Sequence, residues 1–186
     1  RLGTDYDFND KHSVGVMANL IYNRSDFAFQ TDSYLREPGA TAPLYIDAMN
    51  SAEGYYGNGT FNLHYLGKYD TLGTTLSADL DYVRISNDGE SDFYNYYDSL
   101  ATDAPVIRDF LYTSTPNHFD IYSAKIDFTK AYINGRKLEL GAKASRVISD
   151  NDSRFYFNNS EVPVLDLRRT NHFIYDENIF AAYVNW

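Results

Sequence analysis

Apolar and polar positions alternate with a period of two along much of this 186-residue chain. Val14, Val16, Ala18, Leu20 and Tyr22 share one face of an extended segment. The pattern recurs at Leu76, Ala78, Leu80 and Tyr82, at Tyr122, Ala124, Ile126 and Phe128, and at Leu138, Leu140, Ala142 and Ala144. Opposite these sets stand Thr75, Ser77, Asp79 and Asp81; Ser123, Lys125, Asp127 and Thr129; and Glu139, Gly141, Lys143 and Ser145. This is the period of a β-strand with one apolar face, and helical spacing recurs nowhere. Strands are predicted at about 2–8, 12–30, 54–69, 74–97, 117–132, 136–157 and 172–186. Pro38, Pro43, Pro105, Pro116 and Pro163 all lie outside these segments, as expected of a residue that cannot donate to a ladder.

Connections alternate in length. Asn9-Asp10-Lys11, Asp70-Thr71-Leu72-Gly73 and Ile133-Asn134-Gly135-Arg136 read as tight turns, the Asn-Gly pair being a strong hairpin signal. The connections at 31–53, 98–116 and 158–171 are long and contain every proline. The expected fold is therefore all-β: an antiparallel up-and-down meander with its tight turns at one end, as in a transmembrane β-barrel with short periplasmic turns and long extracellular loops. Val14 to Tyr22 spans nine residues, matching the roughly 9–11 that a tilted strand needs to cross a bilayer. Tyr22 and Tyr82 would mark one membrane interface, and Phe8, Tyr65, Tyr69 and Tyr132, beside the tight turns, the other. A soluble sheet laid on a protein core shows the same two faces, so a β-sandwich or lipocalin-like binding protein stands as the alternative.

Composition narrows the choice. Eighteen Tyr and twelve Phe against one Trp suit strands whose rings sit where apolar surface meets water, and a net charge of −10 argues against binding nucleic acid. The absence of cysteine excludes a disulfide scaffold, a cysteine zinc site, an iron–sulfur cluster and thiol catalysis. The longest apolar run, Ile179 to Val184, is six residues, where a membrane helix needs roughly 20. Arg1 to Asp5 carry no signal-peptide pattern.

Four phrases carry a family resemblance: GTDYDFNDKHSVGV (Gly3 to Val16), YDTLGTTLSADLDYVRISN (Tyr69 to Asn87), GRKLELGAKASRVISDNDSRF (Gly135 to Phe155) and NHFIYDENIFAAYVNW (Asn171 to Trp186). They resemble the outer-membrane β-barrel family of TonB-dependent, SusC-related receptors from Bacteroidota. The resemblance implies a wide barrel in the cell outer membrane that takes up a bound nutrient, with energy from TonB. It implies as partners the outer-membrane lipid, the remainder of the barrel and its plug, and TonB through an N-terminal part missing here. Residues 1–186 are then a single β-barrel segment of about seven strands, with no plug domain and an odd count where bacterial single-chain barrels use even numbers. The expected function is transport and binding, not catalysis. A complete small outer-membrane barrel, a pore or adhesin, is the other membrane reading, for which the terminal Trp186 speaks.

No catalytic, cofactor-binding or metal residue is predicted. His12, His64, His118 and His172 are scattered without zinc-ligand spacing, although His118 and His172 each open a strand and would share a rim. Gly57-Asn58-Gly59-Thr60 leads into a strand and not a helix, which rejects a phosphate cradle. Asp88-Gly89-Glu90-Ser91-Asp92 and Asp150-Asn151-Asp152-Ser153 are oxygen-rich and read as charged loop tips, with calcium as the functional alternative. Phe93-Tyr94-Asn95-Tyr96-Tyr97 and Phe155-Tyr156-Phe157 would stand beyond the membrane band, to pack against loops or to hold a ligand.

Overall fold

A computed structural model describes residues 1–39, 42–99, 106–157 and 162–186. Of these residues 82% lie in strands. They are β1 (Leu2–Asn9), β2 (His12–Leu35), β3 (Leu44–Lys68), β4 (Thr75–Ser99), β5 (Ile107–Ser114), β6 (Asn117–Ala131), β7 (Lys137–Phe157), β8 (Val164–Leu165) and β9 (Asn171–Asn185). All pairings are antiparallel in one sheet: β1, β2, β3 and β4 follow in order, β5 and β6 lie between β4 and β7, and β8 and β9 pair with β7.

The nine segments occupy seven strand positions. Against β4, β5 and β6 share one unbroken register, from Ile107 opposite Tyr97 to Thr129 opposite Thr75. Thr115 donates to the Gly89 carbonyl at 2.8 Å, and the Pro116 carbonyl accepts from Asp152 at 3.0 Å. Pro116 gives no return bond, because proline has no N–H. The expectation that prolines lie outside the strands holds at Pro116, which stands with Thr115 in the two-residue break between β5 and β6. Pro38, Pro43 and Pro163 lie in connections, and Pro105 lies outside the described residues. Between β8 and β9 the register against β7 shifts, and Asp166 to Thr170 form a bulge. The buried Asp166 closes it, its carbonyl accepting from Thr170 at 2.9 Å and its Oδ1 from the Arg168 amide at 2.9 Å.

Two of the long connections are shorter than the sequence suggests. Residues 44–53 are strand, pairing with the far half of β2 as far as Leu35 opposite Leu44, and 107–114 form β5. The alternation there sets small apolar residues (Ala48, Ala52) against polar ones, a weak contrast between faces. What remains of the third, 158–171, is partly outside the described residues.

The tight turns lie together at one end. Asn9 Oδ1 accepts from the amides of Lys11 and His12 at 2.9 and 3.0 Å, and Asp70 Oδ1 from those of Leu72 and Thr74 at 3.0 and 2.9 Å. At the Asn-Gly turn only Gly135 has positive φ, 79°, and its amide donates to the Tyr132 carbonyl at 3.0 Å. That is a type I turn followed by a left-handed glycine, and not the mirror-image turn that needs both residues at positive φ.

Register assembles one apolar band across all seven positions. Thr4, Val16, Leu63, Leu80, Ala124, Ala144 and Phe180 form one row, with Tyr6, Val14, Tyr65, Ala78, Ile126, Ala142 and Ala182 below it. The sheet is one layer: among the described residues the only buried apolar side chains are Ala52 and Ala131, and Leu80 is 54% exposed. Among the described residues no second sheet covers the band, as a sandwich core would require. Both outer edges, of β1 and of β9, carry no ladder partner among the described residues.

Candidate functional site

The band is framed by aromatic rows. Above it, Phe61, Tyr82 and Tyr122 stack in register with ring centroids 6.4 and 5.0 Å apart. Below, beside the tight turns, His12 stacks on Tyr65 at 6.1 Å and meets Tyr69 at 5.9 Å, while Tyr132 meets Trp186 at 5.6 Å. Rings at both limits of an apolar band one strand-crossing tall are the outer surface of a transmembrane β-barrel. The 24 or 25 residues of β2, β3 and β4 exceed the crossing length, so these strands project past the upper row.

In that upper part the two faces diverge. On the banded face, Arg24, Arg84 and Arg146 stand just above the aromatic row and pair with Glu53 at 3.1 Å, Asp120 at 3.3 Å and Asp176 at 2.6 Å. Higher on this face come Asp88, Glu90 and Asp92 with Tyr94, Tyr96, Tyr112 and Tyr156. Desolvation, then the nearby Glu90, raises the Asp92 carboxyl, and the bond to Asp32 pushes the Tyr45 phenol up to about 12.

The opposite face carries two rows without a charged side chain at this height, and Asp109, opposite Asn95, stands one row above them. The two rows run across it in register, Phe29–Asn50–Phe93–Leu111–Phe157 and, beneath, Phe27–Ala52–Ser91–Thr113–Phe155. Phe27 and Phe29 stack at 6.3 Å, and the Arg169 guanidinium of the bulge lies 5.6 Å over the Phe157 ring. Below the phenylalanine rows, Ser25, Gly54 and Gly89 lie side by side. Nearer the tight turns the same face is a charged wall: His64 bonds Asp79 at 2.7 Å, Asn62 donates to Asp81 at 2.8 Å, Lys125 pairs with Asp127, and Tyr183 donates to Asp127 at 2.9 Å.

Sequence candidates distribute accordingly. His12 and His64 lie near the turns on opposite faces, with Tyr65 (2.8 Å) and Asp79 as partners. His118 and His172 do share a height, both on the banded face; His118 is 3.0 Å from Ser86 and His172 2.7 Å from Asp150. Among the described residues no group of three or more ligand-type side chains is placed to hold a metal ion. Gly57 and Gly59 sit mid-strand in β3, opposite Tyr22 and Leu20. The two acidic stretches are strand interior and not loop tips: alternation spreads their carboxylates along β4 and β7. It also divides the aromatic patches, sending Phe93, Tyr97, Phe155 and Phe157 to the face opposite the band and Tyr94, Tyr96 and Tyr156 to the banded face. Sequence reasoning missed Phe27, Phe29, Asn50 and Leu111 as their neighbours; the signal lay in the alternation at 44–53 and 107–114, and only register brings these residues together.

No curated protein matches the chain. Among solved structures, the membrane pore complex of pneumolysin aligns over 92% of this chain and 31% of that one, at 10% identity and a TM-score of 0.14, too low to bear on the fold. The chain thus spans about a third of that protein's length. A family model described as the outer membrane protein beta-barrel family matches residues 67–186, from the end of β3 through β9. With the banded sheet, that match over about two thirds of the sequence places the chain in the outer membrane, as a member of the outer membrane protein β-barrel family.

Proposed function

We propose that this chain supplies part of the wall of a TonB-dependent outer-membrane receptor that takes up a bound nutrient, a role of binding and transport and not of catalysis. The apolar band meets outer-membrane lipid, the charged wall near the turns lines a lumen closed by a plug, and the projecting strands form an outer vestibule. The observation that carries this reading is the open sheet: among the described residues it has seven strand positions, with β1 and β9 unpaired on their outer sides. Exposed edges recruit further strands, and a wide barrel supplies them. The remainder of the barrel, the plug and, through an N-terminal part, TonB are its partners.

A self-closed small barrel is the second reading, and it is equally consistent with the family match. The chain has no cysteine, so cysteine pairs introduced in β1 and β9 report closure without background. A panel pairing Gly3, Asp5 and Asp7 with Ile179, Ala181 and Tyr183 is expected to give no intramolecular disulfide in outer membranes. Efficient cross-linking in one register would establish the small barrel. If the receptor reading holds, nutrient uptake by the full-length protein in its own cells stops on loss of TonB or of the proton-motive force; uptake independent of both would defeat it.

A further inference from the structure

We propose that the upper edge of the membrane band is a lipid-head site, selecting lipids in which a phosphate is followed outward by an ammonium group. This rests on the reading that the band meets lipid. Val16, Leu80 and Ala144 share one row across the sheet; Arg24 stands eight residues beyond the first, Arg84 four beyond the second and Arg146 two beyond the third. From β2 to β7 the line of arginines therefore crosses four strand spacings, roughly 19 Å, while dropping six residues, roughly 20 Å. It runs about 45° off the hydrogen-bond direction, which is close to level in a barrel whose strands tilt roughly 35–45°. The ladders slope the same way at their turn ends, reaching four residues below that row at His12 opposite Gly67 and seven at Ala131 opposite Lys137. Three cations thus sit at one depth, where the band ends and lipid heads begin.

Each cation has its carboxylate on the outward side. Glu53 lies opposite Asp26, two residues past Arg24, and Asp176 opposite Ile148, two past Arg146. Asp120 lies opposite Arg84 on the next strand, which the tilt raises. The pairings leave each guanidinium at least half exposed, and Asp176 occupies only two of the five N–H groups of Arg146. Outward from the band the order is cation and then anion, the complement of a phosphate followed by an ammonium. A head with phosphate alone would meet like charge in these carboxylates and in the surface above, where Asp88, Glu90, Asp92, Asp150 and Asp152 face Arg154. Arg146 is the best-formed station: Tyr122 and Asn178 flank it in register with a hydroxyl and an amide. Directly below it a hollow runs over Ala124 and Ala144 between Leu80 and Phe180, with room for an acyl chain of the same lipid.

The test places a fluorophore on Leu80→Cys, at the edge of that hollow, in the full-length protein with any other cysteine replaced, folded into phosphatidylcholine vesicles. Lipids brominated on the acyl chain and carrying a phosphatidylethanolamine, phosphatidylcholine or phosphatidylglycerol head are titrated in, and quenching against mole fraction gives the relative binding of each at this site. Phosphatidylethanolamine, with a phosphate and an N–H ammonium, is expected to bind at least threefold tighter than phosphatidylcholine, whose ammonium has no N–H, and than phosphatidylglycerol, which has no ammonium. Arg146→Gln should abolish the preference, and Asp176→Asn should strengthen phosphatidylglycerol at least threefold. Lys68→Gln, which removes a cation from the opposite face near the tight turns, should change nothing. Phosphatidylethanolamine binding no tighter than either other head would overturn the proposal without any rim variant. So would a folded Asp176→Asn protein with its head preference unaltered. Absence of quenching by all three lipids would instead sink the lipid-facing reading of the band, and the proposal with it.

Discussion

Replacing Leu80 by arginine probes the orientation of the sheet directly. Leu80 stands mid-band between Leu63 and Ala124, in a row running from Val16 to Phe180 without a polar side chain. The nearest carboxylate on that face of β6 is Asp120, four residues beyond Ala124, or roughly 13 Å at strand spacing. It is already engaged by Arg84 and by the Tyr82 hydroxyl. A guanidinium at position 80 therefore has hydrocarbon around it and no partner, at a cost of about 2–4 kcal/mol near the bilayer midplane. With tenfold per 1.4 kcal/mol, that is about a 30- to 700-fold shift in the folding equilibrium. Asp81→Arg, one residue on, places the same cation on the opposite face, where it loses the bond from Asn62, worth about 0.5–1.5 kcal/mol, and stays in water. Urea titration of the full-length protein folded into phosphatidylcholine vesicles measures both. Equal destabilisation by the two substitutions, or a greater loss at Asp81, would refute the assignment of faces.

Three further outcomes are expected. A Cβ built on Gly141 falls 2.0 Å from the Tyr183 ring, so Gly141→Val should displace the tyrosine that bonds Asp127; the β7–β9 amides near it will then lose hydrogen-exchange protection, and unchanged protection would contradict this packing. The Asp70 carboxyl is held down to about 2 by the Thr74 hydroxyl and amide, with smaller help from the Leu72 amide and Lys130. Because its folded value lies below the unfolded one, its contribution to the turn is complete above about pH 4 and is lost as pH falls through about 2; NMR titration of the Leu72 and Thr74 amides should give a midpoint near 2, and one near 4 would count against the turn. Pro116→Ala restores the donor that the β6–β7 ladder lacks, so stability should hold or rise by about 0.5–1.5 kcal/mol in a urea titration; a clear loss would show that the proline has another role.

The architecture was legible in the sequence wherever the two faces differ strongly. From Val14 to Tyr22 and from Leu76 to Tyr82, membrane-type apolar residues oppose charges and hydroxyls, and period two survives without register. Farther along β3 and in β5 both faces mix Tyr, Ala, Ser and Asp, so the pattern fades although the ladder continues, and residues 44–53 read as a loop. The wall of Phe29, Phe93 and Phe157 could not be read at all from local pattern. Its members lie 64 residues apart in sequence at each step, and only the pairings through Asn50 and Leu111 set them in one row. Pro116 was read correctly as a strand boundary, but not the continuity across it: its carbonyl still accepts from Asp152, and β5 and β6 keep one register against β4.

The central claim, that one face of this sheet meets lipid below the upper aromatic row and water above it, is tested most directly by nitroxide scanning along β4. These 186 residues have no cysteine, so once any cysteine elsewhere in the full-length protein is replaced, each label at positions 76 to 92, attached to that protein in lipid bilayers, reports a single site. Oxygen accessibility is expected to peak at Leu76, Ala78, Leu80 and Tyr82, and a water-soluble nickel relaxant to peak at Ser77, Asp79 and Asp81. Beyond Arg84, both faces should see the nickel reagent. Loss of the alternation, or its appearance in the opposite phase, would contradict the account.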